Sequence, residues 1–145
     1  MRITLQTDYA LRILIYLATH PDRLVTTREV ADAYSISHDH LLKIARRLTE
    51  GEIVESIRGR NGGLRLAQDA TAINIGDLFR RFEPSMVLVE CFDKEVNTCP
   101  IIDACSLKGV LQIAEAEFIK VLDRYCLSDL VRSPERYIKT FATSN

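Results

Sequence analysis

The sequence predicts a mainly α fold with one small β-hairpin: a winged helix-turn-helix followed by a long C-terminal helix. Two helical segments, 26–34 and 38–50, are joined by the short Ser35-Ile36-Ser37 connection, the spacing of a helix-turn-helix. An alternating segment, Ile53 to Ile57, enters the turn Arg58-Gly59-Arg60-Asn61-Gly62-Gly63 and returns as Leu64-Arg65-Leu66, which reads as a hairpin with a basic tip. From Ser106 to Tyr125, the apolar positions Leu107, Val110, Leu111, Ala114, Phe118, Val121, Leu122 and Tyr125 recur at steps of one, three and four, a single helical stripe.

The elements follow in order. The first helix is expected from Thr7, as its cap, to about Ala18, with Leu11, Leu14, Ile15 and Ala18 toward the core and Pro21 beyond its end. His20 reads as a surface loop residue. Thr26 and the acidic first turn start the next helix, whose buried stripe is Val30, Ala31 and Tyr34. Ser37 caps the third, His38 to Glu50, with Leu41, Leu42, Ile44, Ala45 and Leu48 as its apolar positions. Gly51 supplies a left-handed stop. Asn74 caps a helix from Ile75 to Glu83, ended by Pro84. Residues 85–104 read as irregular. Beyond the long helix, one helical turn is expected from Ser128, with Ala142 to Asn145 frayed. The chain thus divides into a helix-turn-helix and wing at 1–84, a cysteine-bearing loop at 85–105, and a long helix with its tail at 106–145. The long stripe has little chain left to cover it and needs a partner.

In this fold the second helix of the pair lies in the major groove. Ser37, His38 and His40 suit base edges there, and Lys43, Arg46 and Arg47 suit phosphates. Arg58 and Arg60, with Asn61, Gly62 and Gly63, form a wing tip whose glycines permit close backbone approach and whose arginines fit a minor groove. Residues 1–66 carry 10 Lys/Arg against 8 Asp/Glu, while 67–145 carry 9 against 12. The overall net charge of −1 hides this local basic surface. The same histidines could also serve as ordinary exposed helix residues, and the wing as a solvated hairpin.

Cys91, Cys99 and Cys105 have the spacing C-x7-C-x5-C, which lacks the C-x2-C pairs of a zinc site. Three soft thiolates on a loop suit an iron–sulfur cluster, leaving one position for a non-cysteine ligand; the alternative is three free thiols. Cys126 lies at the far end of the long helix and reads as a small buried residue. The N-terminal segment carries no uninterrupted apolar stretch, and no apolar run approaches the roughly 20 residues of a membrane span. A cytoplasmic chain without a leader or membrane anchor is expected, where stable disulfides are rare. No nucleophile–base pair, P-loop or dinucleotide fingerprint is present, so catalysis is not expected.

Four segments carry a resemblance: Leu5 to Arg12, Val54 to Leu66, the three-cysteine loop, and Leu122 to Leu130. They resemble the winged-helix iron–sulfur transcription regulators of the NsrR/RirA/IscR superfamily, over nearly the full length. The resemblance implies a homodimer paired through the long helix and bound to a near-palindromic operator in double-stranded DNA. It also implies a 4Fe-4S cluster, with 2Fe-2S as the alternative, on Cys91, Cys99 and Cys105. In the nitric-oxide-sensing branch, an aspartate near the start of the first helix of the other protomer completes the cluster, and Asp8 matches that position. Asp8 also suits a helix first turn through the dipole alone. Asp8 and the Leu-Ser-Asp-Leu ending lean toward a repressor that senses nitric oxide. The cysteine spacing, Glu90-Cys91-Phe92 and the wing are shared with iron-responsive members. A cluster-free thiol redox switch is the third reading.

Overall fold

The computed structural model describes residues 3–83 and 87–143. In order come α1 (Leu5–Ala18), α2 (Thr27–Tyr34), α3 (His38–Glu50), β1 (Val54–Ile57), β2 (Gly63–Leu66), α4 (Ile75–Phe82), a 3-10 turn at Glu90–Phe92, α5 (Ser106–Leu122), α6 (Leu127–Leu130) and α7 (Pro134–Thr143). The mainly helical fold with one hairpin is the expected one. The helix stop at Pro84, the domain boundary beside it and the tail residues Ser144 and Asn145 lie outside the described residues.

The core is built where α1, α2, α3 and α4 meet the hairpin. Ile13, Leu14 and Leu17 of α1, Val30 of α2, Leu41 and Leu48 of α3, Val54 of β1 and Phe82 of α4 are all within 2% of full burial. Complete burial of a side chain of this kind contributes roughly 1.5–3 kcal/mol. Of the four positions expected to face the core from α1, only Leu14 is fully buried; Leu11, Ile15 and Ala18 pack half-buried around it.

Strands β1 and β2 pair antiparallel, with Val54 opposite Leu66 and Ile57 opposite Gly63. Leu64 also exchanges two backbone hydrogen bonds with Val25, at 3.0 and 2.7 Å. The root of the wing is thereby joined to the segment before α2. Between α2 and α3, Ser35 adopts a left-handed conformation (φ 52°, ψ 44°) and the Ile36 amide returns to the Ala31 carbonyl at 2.9 Å. Those bonds close the tight connection and set the angle between the two helices.

Several local expectations are corrected. Helix α1 begins two residues before Thr7, because Thr4 is extended and its hydroxyl accepts from the Thr7 amide; Thr7 itself is fully buried. Ser37 occupies the N-cap position of α3, but its side chain makes no capping bond. Leu42, read as an apolar position of α3, is 45% exposed. Gly51 ends α3 at φ −87°, and the left-handed residue is the next one, Glu52, at φ 57°. A Cβ at Gly51 would displace the end of the Arg81 side chain and crowd the Arg47 carbonyl. His20 is half-buried, with its ring stacked on Tyr16 at 4.5 Å.

Helix α5 stops at Leu122 rather than Tyr125. The amides of Arg124 and Tyr125 bond three residues back, tightening the last turn. Cys126 then becomes extended and bridges Asn74. It is half-buried rather than fully buried, and its amide donates to the Asp129 carboxylate at 2.9 Å. No residue of α5 is buried. Phe118, Ile119 and Leu122 lean on the core, while Leu107, Val110 and Ile113 are 60–67% exposed.

The single helical turn expected from Ser128 is α6, and the tail beyond it forms an unexpected ten-residue helix, α7, that runs to Thr143 through the predicted start of fraying at Ala142. Pro134 occupies its first position, where a missing N–H costs nothing. Phe141 packs between Tyr16 and Tyr34, at 4.9 and 5.1 Å between ring centroids, which fastens α7 to α1 and α2. Burial in this aromatic cluster pushes the Tyr34 phenol up to about 12.

Candidate nucleic-acid interface and cysteine loop

Helix α3 turns one face to the core and leaves Asp39, His40, Leu42, Lys43, Arg46 and Glu50 exposed. Ser37 stands exposed at its start with an uncommitted hydroxyl. His38 is half-buried, its Nε2 3.1 Å from the Thr27 hydroxyl, so that its other ring nitrogen is the one left for a ligand. The His40 ring stacks with Tyr9 of α1 at 6.4 Å. Arg46 is 81% exposed and pairs with Glu50 one turn on, a pair worth only a few tenths of a kcal/mol. A polyanion can displace such a partner at little cost.

Arg47 belongs to the scaffold. Its guanidinium lies 4.6 Å above the Phe82 ring, donates to the Gln6 side chain, and reaches the Arg81 carbonyl at 3.3 Å. It joins α3 to α1 and α4 and is half-buried. The sequence places Arg46 and Arg47 side by side; only the packing separates an outward cation from an inward one.

In the wing, Arg58, Arg60 and Asn61 are exposed. Gly59 takes φ 117°, a conformation that side chains resist. The Gly62 amide donates to the Gly59 carbonyl at 3.0 Å, and a Cβ on Gly62 would collide with the Ile57 carbonyl. A Cβ on Gly63 would come within 2.9 Å of the Val25 carbonyl oxygen. Across the hairpin, Arg65 pairs with Glu55 at 2.8 Å. Between α3 and the wing lies an open groove of about 850 Å³, lined in part by Thr26, Thr27, Leu42, Arg46, Ser56 and Arg58. Thr26, Thr27, Leu42 and Ser56 carry no mark of this role in the sequence. Their signal is tertiary, since the groove exists only once the hairpin folds back beside α3.

Cys91 sits in the 3-10 turn, Cys99 accompanies a turn in which its amide donates to the Asn97 side chain at 3.2 Å, and Cys105 is the N-cap residue of α5. All three, and Cys126, are free and half-buried. Asp8, in the first turn of α1, is paired with Arg12 at 2.9 Å. Among the described residues, no three His, Cys, Asp or Glu side chains gather in one chain as a metal-holding group. The donor set fits an iron–sulfur group in kind: three soft thiols in one loop, one at the positive end of a helix. Among the described residues, the hydrogen bonds given for residues 89–105 run between residues of the loop itself. Cys126 follows the 17-residue α5, which spans about 25 Å, and stands apart from the other three.

A helix-turn-helix with a basic wing beside its second helix defines a winged-helix DNA-binding protein. The profile of the Rrf2 family, described as an iron-dependent transcriptional regulator, matches residues 3–133. The chain belongs to the Rrf2 family of transcriptional regulators, and it is a regulator and not an enzyme. It is 47% identical over 132 residues to the HTH-type transcriptional regulator NsrR of Shouchella clausii, covering 90% of this chain and 89% of that one. It is 46% identical over 140 residues to NsrR of Bacillus subtilis, covering 96% of each. Among solved structures, it superposes on CymR, the global cysteine regulator of B. subtilis, with TM-score 0.74 and 27% identity, over 91% of this chain and 97% of that one. IscR of T. potens shares the fold, with TM-score 0.72 at 22% identity, over 91% and 87% of the two chains. Among the described residues, no helix is long and apolar enough to cross a membrane.

Proposed function

We propose that the chain is a cytoplasmic, homodimeric repressor that binds a near-palindromic operator and senses nitric oxide through an iron–sulfur cluster. Cys91, Cys99 and Cys105 would hold the cluster, 4Fe-4S in preference to 2Fe-2S, and Asp8 of the partner subunit would complete it. The observation that carries this reading is the position of the cysteine loop. It ends at Cys105, the residue from which the uncovered helix α5 departs. The likeness to relatives named NsrR supports it.

When bound, the cluster supplies iron centres that react with nitric oxide. The chain supplies the rest. Cys105 fixes the start of α5, and the exposed stripe of α5 offers the dimer contact. At the other end of α5, the Asp123 carbonyl accepts from the Asn74 side chain at 2.8 Å and the Asp123 carboxylate binds Arg80. Asn74 and Arg80 belong to the cap and body of α4, whose Phe79 and Phe82 lie in the core shared with α3. Helix α5 is thereby tied mechanically to the DNA-facing helix. Successive half-sites require the two copies of α3 about 34 Å apart, so a change in how α5 pairs alters the fit. To serve as a ligand, Asp8 must leave Arg12.

The test is to measure iron, sulfide and the visible spectrum of anaerobically purified protein, then titrate nitric oxide while following binding to a duplex selected from a random library. Coloured protein that loses affinity by about 5–150-fold, the usual range of coupling between sites, supports the reading. A colourless, iron-free sample whose affinity follows thiol oxidation points instead to a thiol switch, which the four free cysteines would serve. A loaded protein that responds to iron removal but not to nitric oxide is an iron-responsive regulator, a reading consistent with the description of the family.

A further inference from the structure

We propose that Leu42 reads sequence: its side chain packs against the C5-methyl group of a thymine in the major groove of the operator. The other aliphatic residues of α3, namely Leu41, Ile44, Ala45 and Leu48, are 0–5% exposed, whereas Leu42 is 45% exposed. It sits on the second turn of α3, beside Lys43 and one turn before Arg46. It lines the groove that Arg46 and Arg58 also line. A leucine exposed between cations is matched by a partner that is anionic overall and yet apolar at one point. Duplex DNA meets both conditions. Its phosphates match the cations, and the thymine methyl is the apolar group displayed in its major groove.

This inference rests on α3 being the helix that enters the groove, and the test separates the two. Duplexes are selected from a random library with the full-length protein, and each thymine is then replaced singly by deoxyuridine, which removes only the methyl group. For the wild type, one thymine per half-site should prove sensitive, with affinity falling about fourfold, the value of burying one methyl-sized group. Leu42→Ala should bind thymine and deoxyuridine duplexes alike, and Leu42→Met should keep the discrimination. Both variants change an exposed side chain, and their unfolding curves should match the wild type. If no thymine is sensitive in the wild type, or if Leu42→Ala keeps the full sensitivity, the assignment is overturned. Lys43→Ala and Arg58→Ala report on the face itself. If both bind like the wild type, α3 is not at the DNA and the Leu42 proposal falls with it. If both lose affinity across all sequences while Leu42→Ala keeps methyl sensitivity, only the Leu42 assignment fails. An acidic protein partner in place of DNA would likewise show as the absence of any methyl-sensitive position.

Discussion

Arg80 grips both oxygens of Asp123, at 2.7 and 2.6 Å, and so fastens α4 to the end of α5. The same site excludes a larger residue at Gly76, where a Cβ would collide with the Asp123 carboxylate. Hydrogen bonding to Arg80 holds the Asp123 carboxyl below its ordinary range, so the pair outlasts the pH at which a free aspartate protonates. Its value is geometric, since solvent-exposed ion pairs add little stability. Arg80→Ala should leave the protein folded and loaded but shrink the difference in operator affinity between cluster-bearing and cluster-free protein toward unity. Paired binding isotherms check this; an undiminished ratio would show that the joint transmits nothing.

Arg47 and Lys43 lie four residues apart on one helix and should behave differently. Arg47→Ala removes the stacking on Phe82 and the bonds to Gln6 and Arg81. We expect a loss of about 1–2 kcal/mol of stability from one cation–π contact and a net hydrogen bond. Its salt-dependent DNA affinity should stay near the wild-type value at temperatures where it is folded. Lys43→Ala should do the reverse, lowering affinity uniformly and reducing the salt slope by about one. Urea unfolding and binding at several salt concentrations separate the two.

The wing tolerates no side chain at Gly62. Gly62→Ala should force the Ile57 carbonyl aside and cost about 1–3 kcal/mol, as overpacking does elsewhere. DNA affinity should fall further than stability alone explains, because the tip that carries Arg58 and Arg60 is displaced. Binding measured well below the unfolding transition tests the difference.

Glu29 joins α2 to α1, accepting from the Tyr16 hydroxyl at 3.0 Å and from Arg23. Hydrogen bonding to Arg23 holds its carboxyl below the usual range. A lowered carboxylate pKa contributes stability above the unfolded value, about 4.3, and that contribution is lost as pH falls through the lower folded value. Unfolding free energy should therefore decline on acidification through this window. Glu29→Gln should be less stable at neutral pH and flatter in acid; equal slopes in the two proteins would count against the linkage.

Helix α5 exposes Leu107, Val110 and Ile113 together. Val110→Glu with Ile113→Glu places two charges at the centre of that stripe. Sedimentation equilibrium should show dimer giving way to monomer, with unchanged helical content. If the mass stays that of a dimer, α5 is not the pairing surface.

Much of the DNA-facing half was legible in the sequence, because its signals are local. Caps at Thr26 and Asn74, the bounds of α3 and the glycine-rich turn depend on neighbours a few residues away. What was missed depends on distant ones. Thr4 outcompetes Thr7 as a cap because Glu83 of the α4 exit accepts from its amide, at 2.8 Å. The Arg81 side chain folds over Gly51, Arg47 is inward because of Phe82, and α7 forms where Tyr16 and Tyr34 receive Phe141. The opening Ser133-Pro134-Glu135 was a readable start signal for α7. In the cysteine loop the spacing was readable, but its three thiols come from irregular chain, where periodicity offers no guide to position.

Glu83 also accepts from the Thr4 hydroxyl, which places the doorstep of the cysteine loop against the start of α1, one turn from Asp8. Any load hung ahead of Thr4, such as a purification handle, therefore tugs on the loop entrance and on the aspartate's helix at once. Handles are better attached elsewhere, and responses recorded with such an N-terminal fusion deserve repeating after its removal.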